Sequence, residues 1–170
     1  MKHLLSICLV FCLSACDVSS KKPINYFRHT ESGSLASVFS EDASVGIISS
    51  NDAGIVVWDL EYNQKIYQWN HQDQDGGANI IGLVNLSYDK SHGITADREA
   101  FAIWDLNTGE PIGFWRIDES SIRDVAISNE GNSILVGRGN GKVLFIEHKN
   151  GRRLEFLGHQ EKINSVALSP

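Results

Sequence analysis

Beyond position 16 the chain has no cysteine at all, since Cys8, Cys12 and Cys16 are its only three. Nothing downstream can therefore form an intrachain disulfide or a thiolate metal site. A basic excess is also missing. Lys and Arg number 15 against 21 Asp and Glu, a net charge of -6, which argues against a nucleic-acid partner because neutralising phosphates needs a basic face. No apolar run is long enough to cross a membrane. The longest, Leu4 to Leu13, has about ten residues where a helical span needs about twenty. After it no stretch sustains a 3.6-residue apolar period, so essentially no helix is expected. What remains is 42% hydrophobic and 21% charged, a globular composition of a length that suits one ordinary domain.

The first residues have to be set apart before the fold is considered. Lys2 gives a positive start, the apolar stretch follows, and it runs into Leu13-Ser14-Ala15-Cys16. This run resembles the lipobox of bacterial lipoproteins, where the Cys thiol is alkylated by diacylglycerol, the chain is cut just before it, and the new amine is acylated. Only sulfur gives the thioether, and the small Ser14 and Ala15 let the peptidase close on the backbone. The resemblance implies a signal peptide over 1–15 and a lipidated Cys16 with a polar tether over 16–23. The domain would then lie in the periplasm of a bacterial cell envelope, where a cysteine-free remainder suits the oxidising conditions. Several acyl chains anchor firmly where one binds marginally. Asp17 resembles the inner-membrane retention signal of enteric-type lipoproteins and favours that membrane over the outer one. A plain secretory signal with a stray Cys, or a short buried segment, is the bland alternative.

The rest of the chain repeats. "IVVWDL" ends at Leu60 and "FAIWDL" at Leu106, with Trp58 and Trp104 46 positions apart and Trp69 and Trp115 each 11 further on. "KVLFIE" reads as a third copy with Phe145 in the tryptophan place. Short alternating runs ending at Ser40, Ser87, Ser128 and Ser169 precede them, spaced 47, 41 and 41. Polar, glycine-bearing turns stand between ("SNDAG", "ADREA", "GRGNG"; then "EYNQK", "LNTGE", "KNGR"). A period in the forties with short strands is that of four-stranded propeller blades.

These residues resemble the WD40-repeat β-propeller family: Trp58-Asp59 and Trp104-Asp105 match its dipeptide, and Gly158-His159 matches the GH that opens a repeat. The resemblance covers about residues 24–170 and implies an all-β chain of WD40-like blades. They fall at 33–71, 78–117 and 120–159, with 160–170 starting a fourth and 24–29 as a closing outer strand. It also implies a buried His, Ser or Thr, Asp and Trp chain in each complete blade. Blade one offers His29, Ser49 or Ser50, Asp52 and Trp58. Blade two offers His71, Thr95, Asp97 and Trp104. Blade three has Asp118 and Phe145 in place of His and Trp, and Phe has no N–H to donate. An orphan outer strand, three blades and one further strand would make an incomplete ring. The expected explanation is the N-terminal portion of a chain roughly twice as long, given that rings have four or more blades; a short protein assembling through open edges is the alternative.

Chemistry is hard to find. "GRGNGK" at 137–142 has Val136 where a P-loop needs its first glycine and Val143 after the lysine, so a hairpin turn is expected. "HQDQDGGAN" at 71–79 places Asp73 and Asp75 near Gly76 but lacks the later calcium ligands; it is a longer loop suited to partner contact. His92, His148 and His159 lack metal-ligand spacing, and His148 reads as a solvated turn residue. No catalytic residue, metal site or cofactor is expected. The function this supports is a non-enzymatic, membrane-anchored protein–protein interaction scaffold. Its partners would be proteins bound through propeller loops or a face, and the membrane through the lipid on Cys16. The alternative is a propeller enzyme or ligand sensor with a central-channel site, which the first strands do not favour: only Arg123 and Asp124 are charged among them.

Overall fold

The computed structural model describes residues 30–71 and 80–169. The signal peptide, Cys16 and its tether, the closing strand expected at 24–29 with His29, and the loop bearing Asp73 and Asp75 lie outside the described residues. Among those described no helix forms, and twelve strands make three four-stranded antiparallel sheets. Blade one is β1 (Ser34–Phe39), β2 (Val45–Ser50), β3 (Gly54–Asp59) and β4 (Gln64–Trp69). Blade two is β5 (Leu83–Leu86), β6 (His92–Ala96), β7 (Ala100–Asp105) and β8 (Pro111–Arg116). Blade three is β9 (Ile122–Ile127), β10 (Ser133–Arg138), β11 (Val143–Glu147) and β12 (Arg152–Phe156). Each is a meander in chain order, and the first strands β1, β5 and β9 neighbour one another along the inner side.

The two middle strands of each blade are apolar, and the faces that meet between adjacent blades are buried against one another. Ile47, Ile55, Val57 and Trp69 of blade one pack on Ala102 and Trp104 of blade two. The opposite face of blade two, Ile94, Phe101 and Ile103, packs on Val136 and Ile146 of blade three. The indoles of Trp69 and Trp104 stack 4.5 Å apart at 5°, and Trp69 Nε1 donates to the Gly109 carbonyl across the same seam at 2.9 Å. Each fully buried Ile or Phe contributes about 1.5–3 kcal/mol relative to exposure.

The ladder register corrects one alignment. Trp58 pairs with Gly46 and Trp104 with Gly93, one residue inside the start of the second strand, and the residue there in blade three is Ile146, opposite Ile134. The turn agrees, since Asn63, Gly109 and Gly151 all have positive φ, four residues after Asp59, Asp105 and Glu147. Ile146-Glu147, not Phe145-Ile146, thus stands for Trp-Asp. Successive strand residues face opposite ways, so Phe145 lies on the other face. With Leu135, Val143 and Phe156 it lines an open apolar groove of about 530 Å³, on the face corresponding to Ile47, Ile55, Val57 and Trp69 of blade one.

"GRGNGK" is the hairpin between β10 and β11, with Gly141 at φ 81°. Residues 163–169, expected within the start of a fourth blade, pair with no strand among the described residues. They are held instead by side-chain and single backbone contacts: Asp124 accepts from Ser165 Oγ at 2.9 Å and Val166 N–H at 2.8 Å, and Ile163 N–H reaches the Arg138 carbonyl at 3.1 Å.

Phe101 is fully buried and stacked on Trp115 at 5.1 Å. Phe101→Ala should cost about 3–5 kcal/mol in denaturant unfolding, whereas Ile112→Ala, exposed on β8, should change it by less than about 0.5 kcal/mol.

Candidate functional site

The expected polar chain is present in blade two. His71 Nε2 lies 2.8 Å from Thr95 Oγ1, Trp104 Nε1 donates to the same hydroxyl at 2.7 Å, and His71 Nδ1 is 3.3 Å from Asp97 Oδ2. His71 and Thr95 are almost wholly buried. Asp97 Oδ1 also accepts the N–H groups of Glu99 and Ala100 at 2.6 and 2.7 Å. Burial pushes the Asp97 carboxyl up, but the bonds from His71 and these two amides prevail and hold its pKa below the usual value. A network this fully satisfied stiffens its surroundings. What it stiffens is the β6–β7 turn, the segment that carries Arg98.

Blade one solves the same place differently. In the register Ile48, opposite Val56, stands for Thr95, opposite Ala102, so neither serine takes the threonine role. Ser49 Oγ donates to the Ile81 carbonyl at 2.8 Å, and Ser50 Oγ accepts the Ala53 N–H at 3.1 Å. Trp58 packs with Ile48 and Val56. Asp52 accepts from Thr30 Oγ1, from Ser32 Oγ at 2.9 Å and from Glu31 N–H at 2.9 Å, tying residues 30–32 to the β2–β3 turn.

Blade three carries a cluster that sequence reasoning missed. Asp118 is exposed and takes no part. Arg138, 4% exposed, forks to Glu155 and, at 3.8 Å, to Glu119, while Lys142 lies 3.2 Å from Glu155 and 3.4 Å from Glu119. The Arg138 bond is the main reason that the Glu155 carboxyl titrates below its usual value. The signal was a charged residue closing the apolar strand "SILVGR", overshadowed by the glycines after it. His148 is likewise not solvated. It is half-buried, its ring lies 5.4 Å from that of His92, and burial lowers its pKa. His159 is exposed. Among the described residues no three His, Cys, Asp or Glu side chains gather as a metal site.

Among the described residues, two openings lie at opposite ends of the inner strands. At the end bearing the β2–β3-type turns, a depression of about 510 Å³ is lined by Ile80, Leu83 and Ile122 together with Asp97, Arg98 and Arg123. Arg98 and Arg123 are exposed and neither is in an ion pair among the described residues. At the other end a cleft of about 340 Å³ crosses all three blades, lined by Phe39 and Glu41, Asn85 and Tyr88, and Ile127 and Asn129.

Compared by sequence, the chain matches no family model and no curated protein. Compared by fold, it resembles several solved structures. One is described as the structure of U3-55K, with a TM-score of 0.70 and 15% identity over 82% of this chain and 44% of that one. Another is the crystal structure of the RRP9 WD40 repeats, at 0.68 and 14% over 82% and 43%. A third, the structure of the Dos1 propeller, gives 0.61 and 14% over 78% and 36%. The chain spans less than half the length of each. The shared property is the fold: three blades of the WD40 propeller type.

Thr95→Val keeps volume but leaves His71 Nε2 and Trp104 Nε1 without their hydroxyl, so unfolding free energy should fall by about 1–3 kcal/mol. In acid the Asp97 contribution runs as its lowered pKa requires. It is present above the unfolded value of about 3.9 and lost as pH falls through the lower folded value. Asp97→Asn should flatten that part of a pH-dependent unfolding curve, measured by tryptophan fluorescence.

Proposed function

We propose that this chain is a lipid-anchored interaction scaffold of the bacterial cell envelope, non-enzymatic, with its blades in the periplasm. Acyl chains on Cys16 attach it, and Asp17 keeps it at the inner membrane. The Leu-Ser-Ala-Cys run and the apolar stretch before it support the anchor. The observation that carries protein binding is the braced β6–β7 turn. His71 and two backbone amides hold Asp97, so Arg98 stands on a fixed support beside the same depression as Arg123.

Binding costs less when the surface is already ordered. Arginine offers a planar fork for carboxylates and carbonyls and is enriched in interfaces. Apolar side chains and two guanidinium groups lining one depression therefore suit a protein surface presenting an acidic or carbonyl-rich edge. The titratable groups of the blade-two network are engaged with one another, which is the arrangement of a brace.

Two measurements test this. Labelled palmitate should enter the protein and Cys16→Ser should abolish that incorporation, whereas a protein with Cys16 that takes up no label would refute the anchor. A photo-crosslinking residue at position 98 or 123 should give discrete adducts in cells that are absent when it replaces the exposed Arg153 on β12. The same adducts at all three positions, or none at any, would remove the binding surface.

A further inference from the structure

The two ends of the blades differ in charge. The β1–β2, β5–β6 and β9–β10 turns carry Glu41, Asp42, Asp89 and Glu130 against one cation, Lys90. That ammonium is taken by Asp42, 2.6 Å away. The outer turns at the same end add Asp59, Glu61, Asp105, Glu110 and Glu147 against Lys149 and Arg152, the latter 3.5 Å from Glu147. At the opposite end Arg98, Arg116, Arg123, Arg138, Lys142 and Lys162 stand among the carboxylates. One end of the molecule is thus strongly acidic and the other is mixed.

The acidic end also holds the three-blade cleft, and two aromatic side chains stand exposed on its walls. Phe39 is 54% and Tyr88 66% exposed. They come from adjacent blades. Phe39 lies on the backbone at Gly46, where an added Cβ would come within 3.1 Å of its ring. The Glu41 carboxylate beside Tyr88 raises the pKa of its hydroxyl. Between them Asn85 is tied to blade three through the Val125 carbonyl at 3.3 Å. An aromatic-walled cleft with Glu41 in its lining and further carboxylates on the adjoining turns favours a cation over an anion on two counts. The field of the turns attracts it, and a ring face near a cationic head adds a cation–π contribution.

We propose that this cleft docks a basic segment of a partner protein, inserting an apolar or long cationic side chain between Phe39 and Tyr88 with flanking Lys or Arg over Glu41, Asp89 and Glu130. The proposal rests on the reading of the chain as a protein-binding platform, and it names a second surface, opposite the arginine-lined depression, with the opposite charge preference.

The test uses the full-length protein and two labelled nine-residue peptides, one of Lys and Arg around a central Leu, the other with Glu in place of each cation, followed by fluorescence anisotropy at several salt concentrations. The basic peptide should bind, weaken steeply with salt, and compete only with itself; the acidic one should not bind at this cleft. Tyr88→Ala should weaken the basic peptide by about tenfold. Glu41→Gln with Glu130→Gln, two exposed changes that leave the aromatic walls in place, should lower the salt dependence. Binding insensitive to both variants, or no binding of the basic peptide, overturns the proposal. Adducts at positions 98 and 123 that persist in either case would leave the broader platform reading standing, so the two fail separately.

Discussion

A four-stranded meander of strands four to six residues long has two apolar faces and too little area to shelter either, so each blade needs its neighbours to bury them. Every other feature follows from that constraint. The middle strands are apolar on both sides, the polar residues retreat to the turns, and the seam between blades one and two is closed by paired indoles instead of by backbone hydrogen bonds. The polar chain of blade two belongs to the same logic. Thr95 and Trp104 sit in the seam, where an unsatisfied hydroxyl or N–H would cost free energy, and His71 completes the set.

The three blades show that equivalent positions tolerate different solutions. Blade two uses a threonine hydroxyl under a tryptophan. Blade one puts Ile48 there, with Trp58 packed on it. Blade three drops both, with Val136 and Ile146 making an all-apolar contact while its polar interactions move to the strand end, where Arg138 meets two glutamates. Replacing a buried polar set by well-packed apolar side chains is often neutral, which is why the repeat can lose its signature and keep its shape. The blade that retains the full network is also the one whose turn supports Arg98.

Much of the fold was legible because the turns repeat as faithfully as the strands. Ser40, Ser87 and Ser128 each close an inner strand and bond back into the turn that follows. The alignment of the third repeat slipped by one because Phe145 offered an aromatic match, whereas Glu147 and the positive-φ Gly151 held the true register. The network of blade two was readable since its four members lie within one repeat period. The openings were not. Phe39, Tyr88 and Asn129 are far apart in the chain and become neighbours only when blades stack, and Arg138 looked like part of a glycine loop until its strand placed it against Glu155.

The parallel indoles of Trp69 and Trp104 have a consequence for observation. Two identical chromophores 4.5 Å apart at 5° share their excited states, and an exciton-coupled pair absorbs and emits unlike two isolated tryptophans. Because one ring comes from each blade, this optical coupling exists only while the blades are docked. The molecule carries a built-in spectroscopic gauge of its own assembly, placed in the same seam as the threonine that organises it.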